Sequence, residues 1–291
     1  MPIRQNSPQA WWLAARPKTL SAAFVPVVVA LALLWRRGYF ALTPALACIA
    51  FAALMQIAAN FINDLYDFRR GADREDRLGP ERACAQGWIT PHAMMCGIAL
   101  TIATACAAGL TAVACGGRPL VALGASCVVF AFLYTTLLSY IGLGDVLVWV
   151  FFGFVPVAGT CLAVSGTIPP EAWWAGAGCG LAVGPLLVVN NFRDREQDRL
   201  SGKRTLIVAF GARFGLVFYV LQGLSAAICA GIALGCSPGL PLFGIYCAMH
   251  LWAARSMWRI RHGRALNRVL GATSLNIMLY GLLFSAAWLL E

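Results

Sequence analysis

Apolar runs close to the length that crosses a bilayer core as a helix, roughly 20 residues, recur nine times in this chain. They fall at about 20–35, 42–63, 92–115, 119–138, 143–164, 172–191, 212–235, 240–257 and 269–290. Only 12% of the 291 residues are charged and 60% are hydrophobic, so the runs account for most of the chain. No low-complexity segment or soluble domain separates them. The expected fold is therefore an all-α membrane protein, a nine-transmembrane-helix bundle forming one domain over residues 1–291.

Orientation follows from the basic residues, which are retained on the cytoplasmic side of span ends. Arg4, Arg16 and Lys18 precede the first span. Arg69, Arg70, Arg74, Arg77 and Arg82 follow the second, Arg193, Arg195, Arg199, Lys203, Arg204 and Arg213 follow the sixth, and Arg255, Arg259, Arg261, Arg264 and Arg268 follow the eighth. The opposite side has only Arg36, Arg37 and Arg118. This places the N-terminus in the cytoplasm and Glu291 on the other side. The formal charge of +10 is explained by topology and gives no reason to expect nucleic acid. Eleven cysteines, scattered through apolar runs without metal-ligand spacing, are read as small apolar fillers.

Two longer loops, 67–91 and 192–211, each follow a span that ends in acids and carboxamides. In the second span Gln56, Asn60, Asn63, Asp64 and Asp67 recur at steps of three and four, one stripe on a helix. Unpaired polar groups facing lipid cost several kcal/mol each, so the stripe is expected to line a cavity. The sixth span repeats the device with Asn190 or Asn191, Asp194 and Asp198, a likeness that suggests an internal duplication. If the two ends face each other, four carboxylates converge. Oxygen-only ligation of that kind suits Mg²⁺, an ion commonly shared with substrate phosphates. Asp64, Asp67, Asp194 and Asp198 are the candidate metal ligands and catalytic residues, with Arg193, Lys203 and Arg204 as countercharge. The plainer reading of each motif alone is a solvated helix end paired to nearby arginines. Asp73, Glu75, Asp76 and Glu81 are read as solvated loop residues, although Asp73 could fold back.

NDLYDFRRGAD (63–73), RLGPER (77–82) and NNFRDREQDRLSGKRTL (190–206) resemble the two Asp-rich motifs of the UbiA-type intramembrane prenyltransferases. They are most similar to the branch that prenylates 1,4-dihydroxy-2-naphthoate in menaquinone synthesis. ARPKTL (15–20) and YIGLGDVLVWVFFGFVPVAGT (140–160) extend the resemblance over most of the chain. Gln86, where the branch usually has Ser, and Asp145, where Glu is commoner, depart from the branch, and Gly71 stands where other branches of the superfamily place a third Asp.

The resemblance implies a nine-helix enzyme of the cell's inner (plasma) membrane, active at its cytoplasmic face. It would bind a polyprenyl diphosphate through Mg²⁺ at the two motifs and pass the prenyl group to an aromatic acceptor, which in the naphthoate branch loses CO₂. Asn60, Asn63, Asn190, Asn191, Arg16, Lys18, Tyr140 and Asp145 join the candidate substrate-binding residues. Arg16 and Lys18 have topology signalling as their plainer explanation, and Asp145 has an N-cap role. Tyr66, Tyr134, Tyr140 and Trp149 are candidates for shielding an allylic cation with a π face, against ordinary packing or an interfacial belt position. Asn276 is expected to bond helix to helix. The rival classes are a transporter, opposed by the position of the acids at one membrane face, a prenyltransferase for another aromatic acceptor, and a lipid-linked phosphotransferase.

Overall fold

The computed structural model of the protein describes residues 3–71, 77–235 and 237–290. Asp73, Glu75, Asp76 and Glu291 lie outside the described residues, which hold helices and turns but no strand. A short helix, α1 (Pro8–Ala15), is capped by the Ser7 hydroxyl, which accepts the Ala10 N–H. Arg16 ends it in the left-handed region at φ 52°, turning the chain into α2 (Leu20–Arg36). Then follow α3 (Leu42–Arg69), α4 (Pro91–Gly116) and α5 (Pro119–Leu133). α6 (Gly144–Trp149) and α7 (Val155–Ser165) are joined by a π-helical turn, and α8 (Pro170–Leu200), α9 (Leu206–Leu234), α10 (Phe243–Ile260) and α11 (Leu266–Leu289) complete the chain.

Among the described residues eight segments are long and apolar enough to cross a membrane. The segment expected as the eighth span, 240–257, is the exception: the helix there, α10, is 18 residues long and carries His250, Arg255 and Arg259. The expected start of the seventh span, 212, coincides with a break. Gly211 has φ 87° inside α9, where helical backbone is interrupted.

Helix length explains where the acids sit. At 1.5 Å per residue α3 is about 42 Å long and α8 about 46 Å, against a hydrocarbon core of about 30 Å. Both are therefore two or three turns longer than the core, and the Asp motifs lie in their last turns.

Leu100, Leu110, Ile228, Leu275 and Leu282 are exposed on the outer surface, an apolar shell suited to lipid rather than water. Inside, close approach depends on small residues, as expected where lipid removes the hydrophobic drive between helices. A Cβ on Gly180 of α8 would stand 2.6 Å from the Trp149 carbonyl, so only glycine lets α8 reach the α6–α7 span. Asn276 of α11 donates to the Tyr246 carbonyl of α10 at 3.3 Å, the helix-to-helix bond expected of it.

The loops at the motif end are tied to one another. Arg204 N–H donates to the Tyr140 carbonyl at 2.9 Å, and Arg195 Nη1 to the Arg261 carbonyl at 3.0 Å. Asn267 Nδ2 reaches the Leu78 carbonyl at 2.9 Å, and Arg264 the Arg77 carbonyl at 3.2 Å.

Candidate active site

A cavity of about 570 Å³ runs among α2, α3, α5 and the α6–α7 span. Arg16, Gln56, Asn60, Asn63, Tyr134 and Asn190 line it, and almost all the rest of its wall is apolar. Gln56, Asn60 and Asn63 of the α3 stripe thus face the cavity, whereas Asp64 and Asp67, expected on the same face, turn to the 82–84 loop and do not line it. The stripe has a second use as well. Asn60 Nδ2 donates to the Ala15 carbonyl at 2.9 Å and lies 3.0 Å from Thr19 Oγ1, which Gln56 Nε2 reaches at 3.1 Å. These amides fix α3 to the turn that presents Arg16. Asn63 Oδ1 accepts the Thr135 hydroxyl at 2.9 Å, and Asn190 Nδ2 donates to the Leu186 carbonyl of its own helix.

The four motif carboxylates have different partners. Asp64 is 1% exposed, and its two oxygens accept the backbone N–H groups of Ala83 and Cys84, each at 2.8 Å. Asp67 pairs with Arg82 at 2.7 Å. Asp194 is held through both oxygens by Arg193, at 2.7 Å from Nε and 2.6 Å from Nη2. Asp198 lies 3.7 Å from Lys203 Nζ, and its Oδ2 is buried with no hydrogen-bond partner among the described residues. The charged neighbours of Asp198 include Asp194 and, from the other motif, Asp67, so the two helix ends do face each other. Among the described residues no three acidic, His or Cys side chains stand close enough to hold an ion by themselves.

The basic candidates separate in the same way. Arg193 is 3% exposed and also donates to Asn267 at 2.7 Å, while Asn267 holds the Leu78 carbonyl. It is a buried tie between α8, α11 and the 77–82 loop. Arg204 is exposed and Lys203 faces Asp198. Lys18 is exposed, whereas Arg16 lines the cavity with its Nη2 buried and unpartnered, among Arg82, Asp64, Arg77 and Asp67.

Asp145, 3% exposed, lies in the first turn of α6 with Oδ1 unpartnered. It shares a pocket the size of one water molecule, about 10 Å³, with Tyr134, Asn191 and Lys203.

Of the four aromatic candidates only Tyr134 lines the cavity. The other three are used elsewhere. Tyr66 packs edge-on against Phe132, Tyr140 lies under the Arg70 guanidinium at 4.6 Å, and Trp149 donates its N–H to Gln222 at 3.1 Å. The aromatic walls come instead from Phe51, Phe130, Phe151 and Phe152. Nothing in the sequence separates these from packing residues, since a phenylalanine facing a cavity and one facing another helix have the same neighbours along the chain. Asn267 was equally silent. It stands alone at the start of α11, and its partners are remote in sequence.

The arrangement is an apolar chamber whose polar end meets two facing acidic helix ends. The profile of the UbiA prenyltransferase family matches residues 23–286. The chain is 34% identical to a 1,4-dihydroxy-2-naphthoate octaprenyltransferase of Escherichia coli, over 84% of this chain and 79% of the relative. It is 32% identical to the Mycobacterium tuberculosis protein of the same name, over 95% and 96%. Among solved structures, a UbiA homolog from Aeropyrum pernix superposes with a TM-score of 0.70 at 18% identity, covering 92% of this chain and 96% of that one. One from Archaeoglobus fulgidus, bound to DMAPP and Mg²⁺, gives 0.63 at 16%, covering 95% and 99%. A profile match over nearly the whole chain, joined to identity above 30% at this coverage, establishes that the protein belongs to the UbiA prenyltransferase family.

Proposed function

We propose that this protein transfers a polyprenyl group from its diphosphate to 1,4-dihydroxy-2-naphthoate, releasing diphosphate and CO₂. The observation that carries the reading is the cavity itself. Its long apolar wall suits a prenyl tail, and its polar end adjoins the acidic ends of α3 and α8 where a charged head would lie. The naphthoate acceptor is favoured by the activity for which the relatives at 34% and 32% identity are named.

The allylic C–O bond breaks, its electron pair leaves with the diphosphate, and a ring carbon of the acceptor bonds to the allylic carbon. Loss of the carboxylate as CO₂ follows. Tyr134 and Phe151 supply π faces on the cavity wall beside which the allylic cation is shielded. Arg16 supplies a cationic group to the cavity wall, for the donor diphosphate or for the acceptor carboxylate. The cavity wall excludes water that would trap the cation.

Asp67, Asp194 and Asp198, which do not stand close enough to hold an ion by themselves, would hold Mg²⁺ together with the donor's diphosphate oxygens, and the buried Asp198 Oδ2, without a hydrogen-bond partner among the described residues, fits that role. When bound, the ion supplies Lewis-acid stabilisation of the leaving diphosphate. The Archaeoglobus homolog bound to DMAPP and Mg²⁺ supports a divalent ion in the reaction. Asp64, whose oxygens both hold backbone amides, positions the loop that carries Arg82.

We further propose nine crossings, with the motif loops at the cytoplasmic face of the inner membrane and the C-terminus opposite. What supports nine is the return of the chain. α9 begins after Lys203 and Arg204, while Arg261, Arg264 and Asn267 contact that same loop end, so α10 has to run back across. Its 18 residues span about 27 Å, close to the core thickness.

The test is incubation of the purified protein in detergent with Mg²⁺, a polyprenyl diphosphate and a panel of aromatic acceptors, followed by product mass. A prenylated naphthoquinol lacking the carboxylate is expected. A prenylated 4-hydroxybenzoate with its carboxylate retained, and no naphthoate product, overturns the acceptor assignment.

A further inference from the structure

The cavity wall follows α3 from Asn63 to Cys48, about 22 Å of helix. An isoprene unit adds four main-chain bonds. At the roughly 1.2 Å per bond of an extended chain, that is about 5 Å per unit. The chamber therefore holds about four extended units, and a longer tail has to leave it. An exit fits the far end, where Leu110 and Val121 line the cavity yet are 66% and 53% exposed on the outer surface.

The one aromatic ring that α3 places on the cavity wall stands before that end. Phe51 lies about 18 Å along α3 from Asn63, with Cys48, Ala112, Leu120 and Thr160 as the smaller groups beyond it. Its ring occupies a hollow left by two glycines on neighbouring helices. A Cβ on Gly109 of α4 would come within 3.2 Å of Phe51 Cδ2 and 3.3 Å of Cε2. A Cβ on Gly124 of α5 would stand 3.9 Å from Cζ, an ordinary contact. Gly109 thus determines how far the ring sits from the lumen, and Gly124 does not.

We infer that Phe51 sets the prenyl-length preference of the enzyme. The first three units lie on the Asn63 side of its ring, and the fourth and later units must pass it. The inference rests on the donor being a polyprenyl diphosphate.

The experiment compares kcat/KM for donors of two and eight isoprene units, using the whole purified protein with Mg²⁺ and excess acceptor. Phe51→Ala widens the passage and is expected to raise the eight-to-two ratio at least fivefold. Gly109→Ala presses the ring into the lumen and is expected to lower the ratio at least fivefold, near the low end of what an overpacked methyl costs. Gly124→Ala should leave it unchanged. In a Phe51→Ala, Gly109→Ala double variant the Gly109 effect should vanish, because no ring remains to be displaced. The two-unit donor monitors folding and chemistry in every variant. If that donor reacts normally while the ratio stays fixed in Phe51→Ala and Gly109→Ala, Phe51 does not measure the tail. Persistence of the Gly109 effect without the ring, or an equal effect of Gly124→Ala, also overturns the inference by pointing to helix packing. Absence of diphosphate release from either donor in the unsubstituted protein overturns the transferase reading and this inference with it.

Discussion

The Asp64 carboxylate receives the backbone N–H of Cys84 at 2.8 Å, joining the end of α3 to a loop twenty residues further on. Its other oxygen takes the adjacent N–H of Ala83. We propose that an acid engaged in this way acts through the loop it holds. Asp64→Asn keeps one acceptor oxygen and loses the other, leaving a buried amide unsatisfied at about 1–3 kcal/mol. Turnover is expected to fall while the Mg²⁺ concentration for half-maximal rate stays where it was. A titration of rate against Mg²⁺ separates this from a ligand, since a shift of tenfold or more would make Asp64 part of the metal site.

Asp67 and Asp198 are expected to behave differently. Each comes from one motif, and they are electrostatic neighbours across the gap between α3 and α8. Asp67→Asn and Asp198→Asn should each lower kcat by roughly 10²–10³, the range for loss of a main electrostatic stabiliser, and should raise the Mg²⁺ requirement. EDTA should abolish diphosphate release. Near-normal release in EDTA from folded protein would remove the metal from the reaction.

Arg16 tests which anion meets the cavity wall. The residue adopts φ 52° and presents a buried, unpartnered Nη2 beside the acidic loop end. Arg16→Gln is expected to reduce kcat/KM by at least tenfold. A rise confined to the acceptor's KM would assign the guanidinium to the acceptor carboxylate, whereas a fall in kcat would assign it to the leaving diphosphate. No change in either constant would leave Arg16 as a topology signal alone.

How much of this could be read in the chain depends on what the sequence records. Apolar length is written directly in it, so eight of the nine expected spans appear as membrane-length apolar helices. α10 was legible as a helix but less so as a span, because Arg255 and Arg259 fall within it. The stripe was legible as a cavity face from Gln56 to Asn63, but not at Asp64 and Asp67, which do not line the cavity. Spacing places residues on a face of a helix without naming their partners. Asn60 therefore gave no sign that its amide holds Ala15 and Thr19, nor Arg193 that it is buried against Asp194 and Asn267. Phe51 was invisible for a related reason, since a cavity wall and a packed core use the same residues.

Helix packing supplies a stability prediction. Gly180 and the Trp149 carbonyl would be 2.6 Å apart through an added Cβ, with backbone on both sides and no flexible side chain to yield. Gly180→Ala is expected to destabilise the bundle by about 1–3 kcal/mol, the usual cost of overpacking, read as a lowered midpoint of thermal unfolding in detergent. Gly244→Ala, where an added Cβ meets nothing within 4 Å, is the comparison and should unfold as the unsubstituted protein does. Equal midpoints for the two would mean that α8 and the α6–α7 span can separate without loss.

Topology tests the proposal of nine crossings, and the decisive segment is α10. Accessible tags inserted after Gly87, Gly202 and Gly263 should all report the cytoplasmic side. The basic residues concentrate there, and hydrogen bonds from Asn267 to Leu78 and from Arg195 to Arg261 link these loops. Tags after Ser237 and at the C-terminus should report the other side. If α10 merely lies along the surface, Ser237 and Gly263 would share a side, and α11 would have to begin opposite the motif loops. That arrangement is incompatible with Asn267 holding both Arg193 and the Leu78 carbonyl, so a shared side for those two tags would refute the nine-crossing proposal and the contacts that support it.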